Sequence, residues 1–432
     1  MSERVLSELR EPGSFWWAVG VEDTFLPARS PRTGRSLDLY ALTGHYERWA
    51  DDIDLMASLG VPVVRYGLPW PRINPALDRW DWDWSDRALD RLVSRGIRPI
   101  VDLVHYGTPE WLEGSFLHPD YPQRVADYAA RAAHRYRGRV QLWTPLNEPR
   151  ITAWHGGRTG VWPPYRRSWS GFVAVLFALT HGTIHTADAL RAVDPANLLV
   201  HVDAANRWLR PDPPTDPQLQ AQTEFRQELS FLALDLLTGQ LNSDHRLRDW
   251  LARHGATEAD VEWFAGRLPV LDVIGINFYP MLSQKQFVRT APGRVRIRYP
   301  YADAAALGEV LSRYWHRYRR PLLLTETASR GHVRRRRAWL DESVTAVREV
   351  RTAGIPVVGY TWWPLFDLIS WTYARGRKPF GDYLAPMGLW QLDPTTLDRR
   401  PTPLVEAYAG LVADGARPVG ELARGEAVAS VR

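Results

Sequence analysis

The chain has 432 residues, 45% hydrophobic and 24% charged, with no cysteine. That length and balance allow a large core and exclude disulfides and thiolate chemistry. The formal charge of +5 is carried almost wholly by arginine, Lys285 and Lys378 being the lysines, and it is scattered rather than gathered into the basic face that a nucleic-acid partner needs.

The N-terminal run MSERVLSELREPGSFWW lacks the apolar centre of a signal peptide, and no stretch reads as a membrane span. A cytoplasmic location is the expectation. Further on, short apolar, β-branched runs alternate with amphipathic stretches. Strands are expected at 17–21, 63–67, 98–103, 141–146, 198–203, 273–277, 321–325 and 357–361. Helical periodicity falls between and after them, at 46–59, 86–95, 121–136, 171–193, 224–237, 302–318, 336–353 and 403–413. Eight strands, each followed by a helix, are the signature of an α/β fold closed as a (β/α)8 TIM barrel. An open doubly wound sheet is the alternative, but no glycine-rich phosphate turn follows the first strand. Segments 211–217 and 283–301 read as long loops, residues 1–415 as one domain and 416–432 as a flexible tail.

Reactive groups in such barrels gather at the C-terminal ends of the strands. There the sequence places Arg65-Tyr66, His105-Tyr106, Asn147-Glu148, Asn277-Phe278-Tyr279, Thr325-Glu326 and Trp362-Trp363. Pro149 stops the fourth strand, because it cannot donate to a ladder, and leaves Asn147 and Glu148 at the barrel mouth. The fourth and seventh strands stand on opposite sides of the ring, so Glu148 and Glu326 can face each other. Two carboxylates flanking a cleft are the parts required for glycoside hydrolysis, with retention at a separation of about 5–5.5 Å and inversion at wider spacing. One must stay ionised, which Arg65 and Tyr279 can secure by charge and hydrogen bonding. The charge of the first favours a proton on the second. The 21 tryptophans suit ligands with apolar C–H faces, such as sugars.

The runs VVRYGLPWPRINP, VDLVHYGTPEWL, TPLNEP, IGINFYP, LLLTETAS and GYTWWPLFDLISW occur in that order, and together they resemble the successive blocks of glycoside hydrolase family 1. The resemblance covers nearly the whole chain. It implies a retaining β-glycosidase, β-glucosidase-like and acting on terminal sugars of small glycosides, with Glu148 as acid/base and Glu326 as nucleophile. It also implies Asn147 on the sugar 2-hydroxyl, His105 on the 3-hydroxyl and Trp363 beneath the ring. Arg65 and Tyr279 fall where the family keeps the nucleophile's partners, and Tyr106, Asn277 and Trp371 join them in the substrate site. No cofactor or metal is implied. Related barrels carry a cis peptide after the tryptophan that ends strand eight, so Trp363–Pro364 is expected to be cis.

Three departures from the family pattern bear on specificity. WAVGVEDTF lacks the glutamine that ends the first block, so Glu22 or Asp23 takes over its hydroxyl contacts or the contacts are lost. Ser370 stands where gluco-specific members carry a glutamate. TETAS replaces the usual Thr-Glu-Asn-Gly around the nucleophile. Members acting on 6-phosphosugars also carry serine at the second of these places, and Arg375, Arg377 and Lys378 follow it here. A 6-phospho-β-glycosidase is therefore one alternative, and a transglycosidase or a non-catalytic sugar-binding barrel are others. His181 and His185 share a helix face without a third ligand and read as packing. Asp51-Asp52 and the tetrad 334–337 read as solvated, and Trp162 as part of the cleft wall.

Overall fold

Eight parallel strands close into a barrel: β1 (Trp16–Gly20), β2 (Val63–Gly67), β3 (Arg98–Asp102), β4 (Leu142–Thr144), β5 (Leu198–Ala204), β6 (Val273–Asn277), β7 (Leu322–Thr327) and β8 (Val357–Trp362). In this computed structural model, which describes residues 14–267 and 270–415, each strand pairs with its sequence neighbours and β8 closes on β1. The expected tail, 416–432, lies outside the described residues.

Period-two alternation divides each strand between two cores. Trp16, Val63, Ile100, Leu142, Val200 and Leu323 point inward and plug the lower barrel. Val19, Val64, Val101, Trp143 and Ile274 point outward under the helices. Continuing an inward row by two or four residues gives Arg65 after Val63, Asp102 after Ile100 and Asn277 after Val273. Alternation thus raises polar groups onto the plug.

Most expected helices are present, their ends moved by a few residues, as at His45–Ser58, Asp83–Ser94 and Val333–Thr352. Five expectations are corrected. The helix expected at 224–237 is two, Pro217–Leu229 and Leu232–Leu237, broken at Ser230-Phe231. The loop expected at 283–301 holds an antiparallel hairpin, Gln284–Ala291 with Arg294–Arg298, whose polar outer face hides its alternation. Arg336 is buried and donates to the Gly388 carbonyl at 2.6 Å, while Arg334, Arg335 and Arg337 are exposed as expected.

The fourth correction concerns Trp169–Val193, which by length and composition is apolar enough to cross a membrane, although 67% of its most apolar window is buried here. It is covered on several sides. It packs along Tyr121–Arg135, where a Cβ at Gly182 would stand 2.6 Å from the Tyr121 ring. Elsewhere Phe177 meets Phe264, and His181 stacks on Trp263 with centroids 3.8 Å apart. The HGTIH histidines therefore pack, as expected.

Asp52 is not solvated. It is fully buried, accepting from Arg399 Nε and Nη2 at 2.7 Å each and from His45 Nδ1 at 2.7 Å. His45 Nε2 continues to the Tyr66 hydroxyl at 2.7 Å, so the network ties the helix His45–Ser58 to β2 and to the C-terminal region. Its partners lie 7 and 347 residues away, out of reach of any local pattern. Asp52→Ala would leave Arg399 facing a void and is expected to cost about 3–5 kcal/mol of stability in urea unfolding. A cost below about 1 kcal/mol would show that the pair gives no net stabilisation.

Candidate active site

Glu326 and Glu148 reach the barrel mouth by different routes. On β7 the register against β6 shifts between Leu324 and Glu326, and such an irregularity re-aims side chains. Thr325 donates to Asn277 Oδ1 at 2.7 Å, and Glu326 accepts from the Arg65 guanidinium and, at 2.7 Å, from the Tyr279 hydroxyl. Past β4, Asn147 N–H donates to Val104 O and Glu148 N–H to Val202 O, which pins the segment between β3 and β5. Pro149 then opens a short helix, Pro149–Ala153, and Glu148 takes the left-handed region at φ 46°. A left-handed glutamate is strained, and such strain gathers at functional sites. Glu148 accepts from the Asn277 amide at 2.8 Å and meets the Tyr106 hydroxyl.

Arg65 is fully buried and forks between Glu326 and Asp102, with Asn147 Oδ1 2.7 Å from Nη2. Burial works against its charge, but Asp102, Glu326 and Asp23 more than reverse that and raise its pKa. Burial likewise pushes the Glu326 carboxyl up, to about 8, with Arg65 opposing and Glu148 adding to the rise. The two partners pull opposite ways on one proton. The pairing decides it, because the guanidinium keeps its charge and a neutral Glu326 would leave that buried cation short of a counter-ion. The carboxylate in contact with Arg65 is therefore ionised.

His105, Asp23, Glu22 and Trp363 lie close to these groups at the same end of the barrel. His105 Nδ1 lies 2.6 Å from Asp23 and 3.2 Å from Asp102, and its Nε2 faces the Asn147 amide at 2.9 Å. Burial opposes a charge on His105, but Asp23 and Asp102 outweigh it and hold its pKa well above the ordinary value. Burial lifts Asp23 itself to about 6, against the pull of His105. Glu22 and Asp23 face different partners. Asp23 turns to His105, while Glu22 accepts from Trp363 Nε1 at 3.1 Å and Thr24 at 2.6 Å. Trp363 lies parallel to His105 at 6.0 Å, and its peptide to Pro364 is cis. Only glycine fits beneath it, since a Cβ at Gly20 would stand 2.1 Å from the indole. Asp23, Asp102 and His105 bring one ligand atom each within 4.8 Å of one another, but the Arg65 guanidinium on Asp102 already supplies the charge that an ion would bring.

Trp371 joins Trp162 and Tyr106 in an aromatic wall, with centroids 5.0 and 5.2 Å from its own. Ser370 stands apart. It caps the turn Trp371–Ala374, its hydroxyl 2.8 Å from that of Thr372, and Arg375, Arg377 and Lys378 are exposed. Asp102 was missed by the sequence reading, although an aspartate inside the apolar run VDLV was a usable signal.

A model described as glycosyl hydrolase family 1 matches residues 19–319, which stops short of Glu326. Thermostable beta-glucosidase B of Thermobispora bispora is 28% identical over 401 residues, 83% of this chain and 78% of that protein. A bifunctional beta-D-glucosidase/beta-D-fucosidase of Bifidobacterium breve is 26% identical, with 90% of this chain and 94% of that one covered. The solved beta-glucosidase from Thermotoga maritima in complex with glucoimidazole has the same fold, with a TM-score of 0.80 at 19% identity over 94% of this chain and 99% of that one.

Asp203, at the end of β5, is a further buried carboxyl that the sequence did not single out. Burial pushes it up to about 7, while Arg150 and the Tyr314 hydroxyl, 3.1 Å away, pull against that. A carboxyl that binds its proton more tightly when folded contributes its full stability below its unfolded value of 3.8 and loses it as pH rises to about 7. The loss is on the order of 4 kcal/mol across that window. Wild type should therefore lose stability relative to Asp203→Asn between about pH 4 and 7.5 in denaturant titrations. Parallel curves for the two proteins would rule Asp203 out as the group.

Proposed function

The chain belongs to glycosyl hydrolase family 1 and is a retaining glycoside hydrolase, and from that premise we propose that it removes terminal β-linked sugars from small glycosides by a two-glutamate double displacement. In the first step a Glu326 oxygen attacks the anomeric carbon as the bond to the leaving oxygen breaks, and the Glu148 proton passes to that oxygen. In the second, water attacks the glycosyl ester, gives its proton to Glu148 and frees the Glu326 carboxylate. The observation that carries this assignment is the difference between the two carboxyl environments. Glu326 rests on a guanidinium and a phenol, which favour a standing negative charge. Glu148 rests on an amide and a phenol, neutral groups that tolerate a proton coming and going.

Asn147, His105 and Trp363 are assigned to the sugar, with Asp23 orienting His105 and Glu22 the indole. Tyr106 and Trp371 form the wall. Ser370 offers no carboxylate to a 6-hydroxyl, which suits a sugar lacking that group, and one relative is named for both glucose and fucose. The 6-phosphosugar alternative draws no support from the loop behind it, where the cations are exposed and Ser370 is engaged with Thr372.

The test is 4-nitrophenol release from the β-glucoside, galactoside, fucoside, xyloside, mannoside and 6-phosphoglucoside. Turnover of a neutral glycoside is expected, with the β-anomer formed first by NMR and none from Glu326→Gln. Glu148→Gln should cut kcat/KM by about 10²–10⁴-fold on 4-nitrophenyl substrates and far less on dinitrophenyl ones, whose leaving group needs no proton, while kcat falls on both because the second step has lost its base. Activity surviving in Glu326→Gln, or a first-formed α-anomer, would sink the assignment.

A further inference from the structure

Beside Glu148 lies a cavity of 310 Å³ whose lining includes Arg150, Arg226 and Lys285 and no carboxylate. The segments after β4, β5 and β6 build it. Arg150 follows Glu148 by two residues, Trp208 sits in the short strand Arg207–Trp208, and Lys285 pairs with Trp208 across a parallel bridge. Elsewhere in the chain arginines pair readily with acids, as Arg91 with Asp54, Arg317 with Asp235 and Arg399 with Asp52. None of the three cavity cations does so among the described residues.

Arg150 is 8% exposed and gives one Nη2 bond to Ala204 O at 2.8 Å, while its buried Nε has no partner. Arg226 rests on indole faces, 4.7 Å from Trp154 and 6.0 Å from Trp208. Lys285 donates to Asn206 Oδ1 at 2.5 Å. Burial, then Arg150 and Arg226, push the Lys285 ammonium down to about 7, and burial, then Arg150 and Arg158, push Arg226 down to about 10. The acids within reach are Glu148, held by Asn277 and Tyr106, and Asp203, which lies behind Arg150. Three crowded cations, one with a free donor, favour an entering oxyanion through charge-assisted hydrogen bonds. The indoles of Trp154 and Trp208 offer it an apolar platform.

We propose that this cavity is a subsite for the leaving group and that the preferred substrates are β-glycosides whose aglycone carries a carboxylate or similar oxyanion. The inference rests on the assignment of Glu148 as acid. That group delivers its proton to the glycosidic oxygen, so the aglycone lies on its side of the site, where Arg150 begins the cavity wall.

The test uses two non-hydrolysable inhibitors built on the sugar that the nitrophenyl panel prefers, the 4-carboxyphenyl and 4-carbamoylphenyl 1-thio-β-glycosides, which differ in charge and little in size. The carboxylate should bind about tenfold tighter or more at low salt. That gap should close in Arg226→Gln and in Lys285→Gln, each checked for folding by thermal melting, and shrink in high salt. Equal affinities in wild type, with 4-nitrophenyl glycosides still turned over, would overturn this proposal and leave the glycosidase reading standing. Binding of neither inhibitor, with no turnover of the panel, would remove both. A third arm adds inorganic sulfate to the neutral substrate. Faster turnover there would assign the cavity to a free anionic effector instead of the aglycone.

Discussion

One buried positive charge organises the working end of this barrel. Arg65 leaves β2 and donates to Asp102 on β3, to Asn147 past β4 and to Glu326 on β7, while its guanidinium carbon lies 4.5 Å from the centre of the Trp363 ring past β8. Burying such a cation costs several kcal/mol unless its partners are all present and well placed. The strand ends are thus coupled: moving any one of them strips a partner from the same side chain. A lysine could not stand in, because the contacts use a planar fork with two faces. The aspartate and glutamate there are requirements of folding.

That charge can be buried because of what lies beneath it. The inward rows of the strands carry apolar residues lower down and change to polar ones at Arg65, Asp102, Asn277 and Thr325. The apolar plug closes the barrel from below, so the polar groups must satisfy one another or a ligand from above. The shift on β7 adds a second polar side chain, Glu326, immediately after Thr325. Without it the alternation would carry Glu326 towards the helices.

Much of this was legible in the sequence, for a local reason. Strand order, the polar strand ends and the two glutamates are written in short runs, and Pro149 marks the end of β4. What escaped depends on distant partners. Asp52 looked solvated because Arg399 is remote in sequence, and Arg336 because its acceptor is a backbone carbonyl of Gly388. The hairpin 284–298 was hidden because little of it is buried: Arg294–Arg298 is exposed nearly throughout, and alternation records burial. The cationic cavity draws Arg150, Arg226 and Lys285 from three separate segments, and in so arginine-rich a chain none stands out alone.

The departures in the first block and at Ser370 can be understood together. Serine, not a carboxylate, stands at the end of the eighth-strand loop, and its hydroxyl is turned to Thr372. A carboxylate is nevertheless present against the same indole, because Glu22 comes from the end of β1 and accepts from Trp363 Nε1. Asp23 beside it holds His105, with a Cβ at Gly67 excluded by its carboxylate at 2.2 Å. Negative charge therefore stands on the β1 side of the indole. Hydroxyls that meet Glu22 would do so close to the indole edge, whereas those near Ser370 would meet a smaller neutral group.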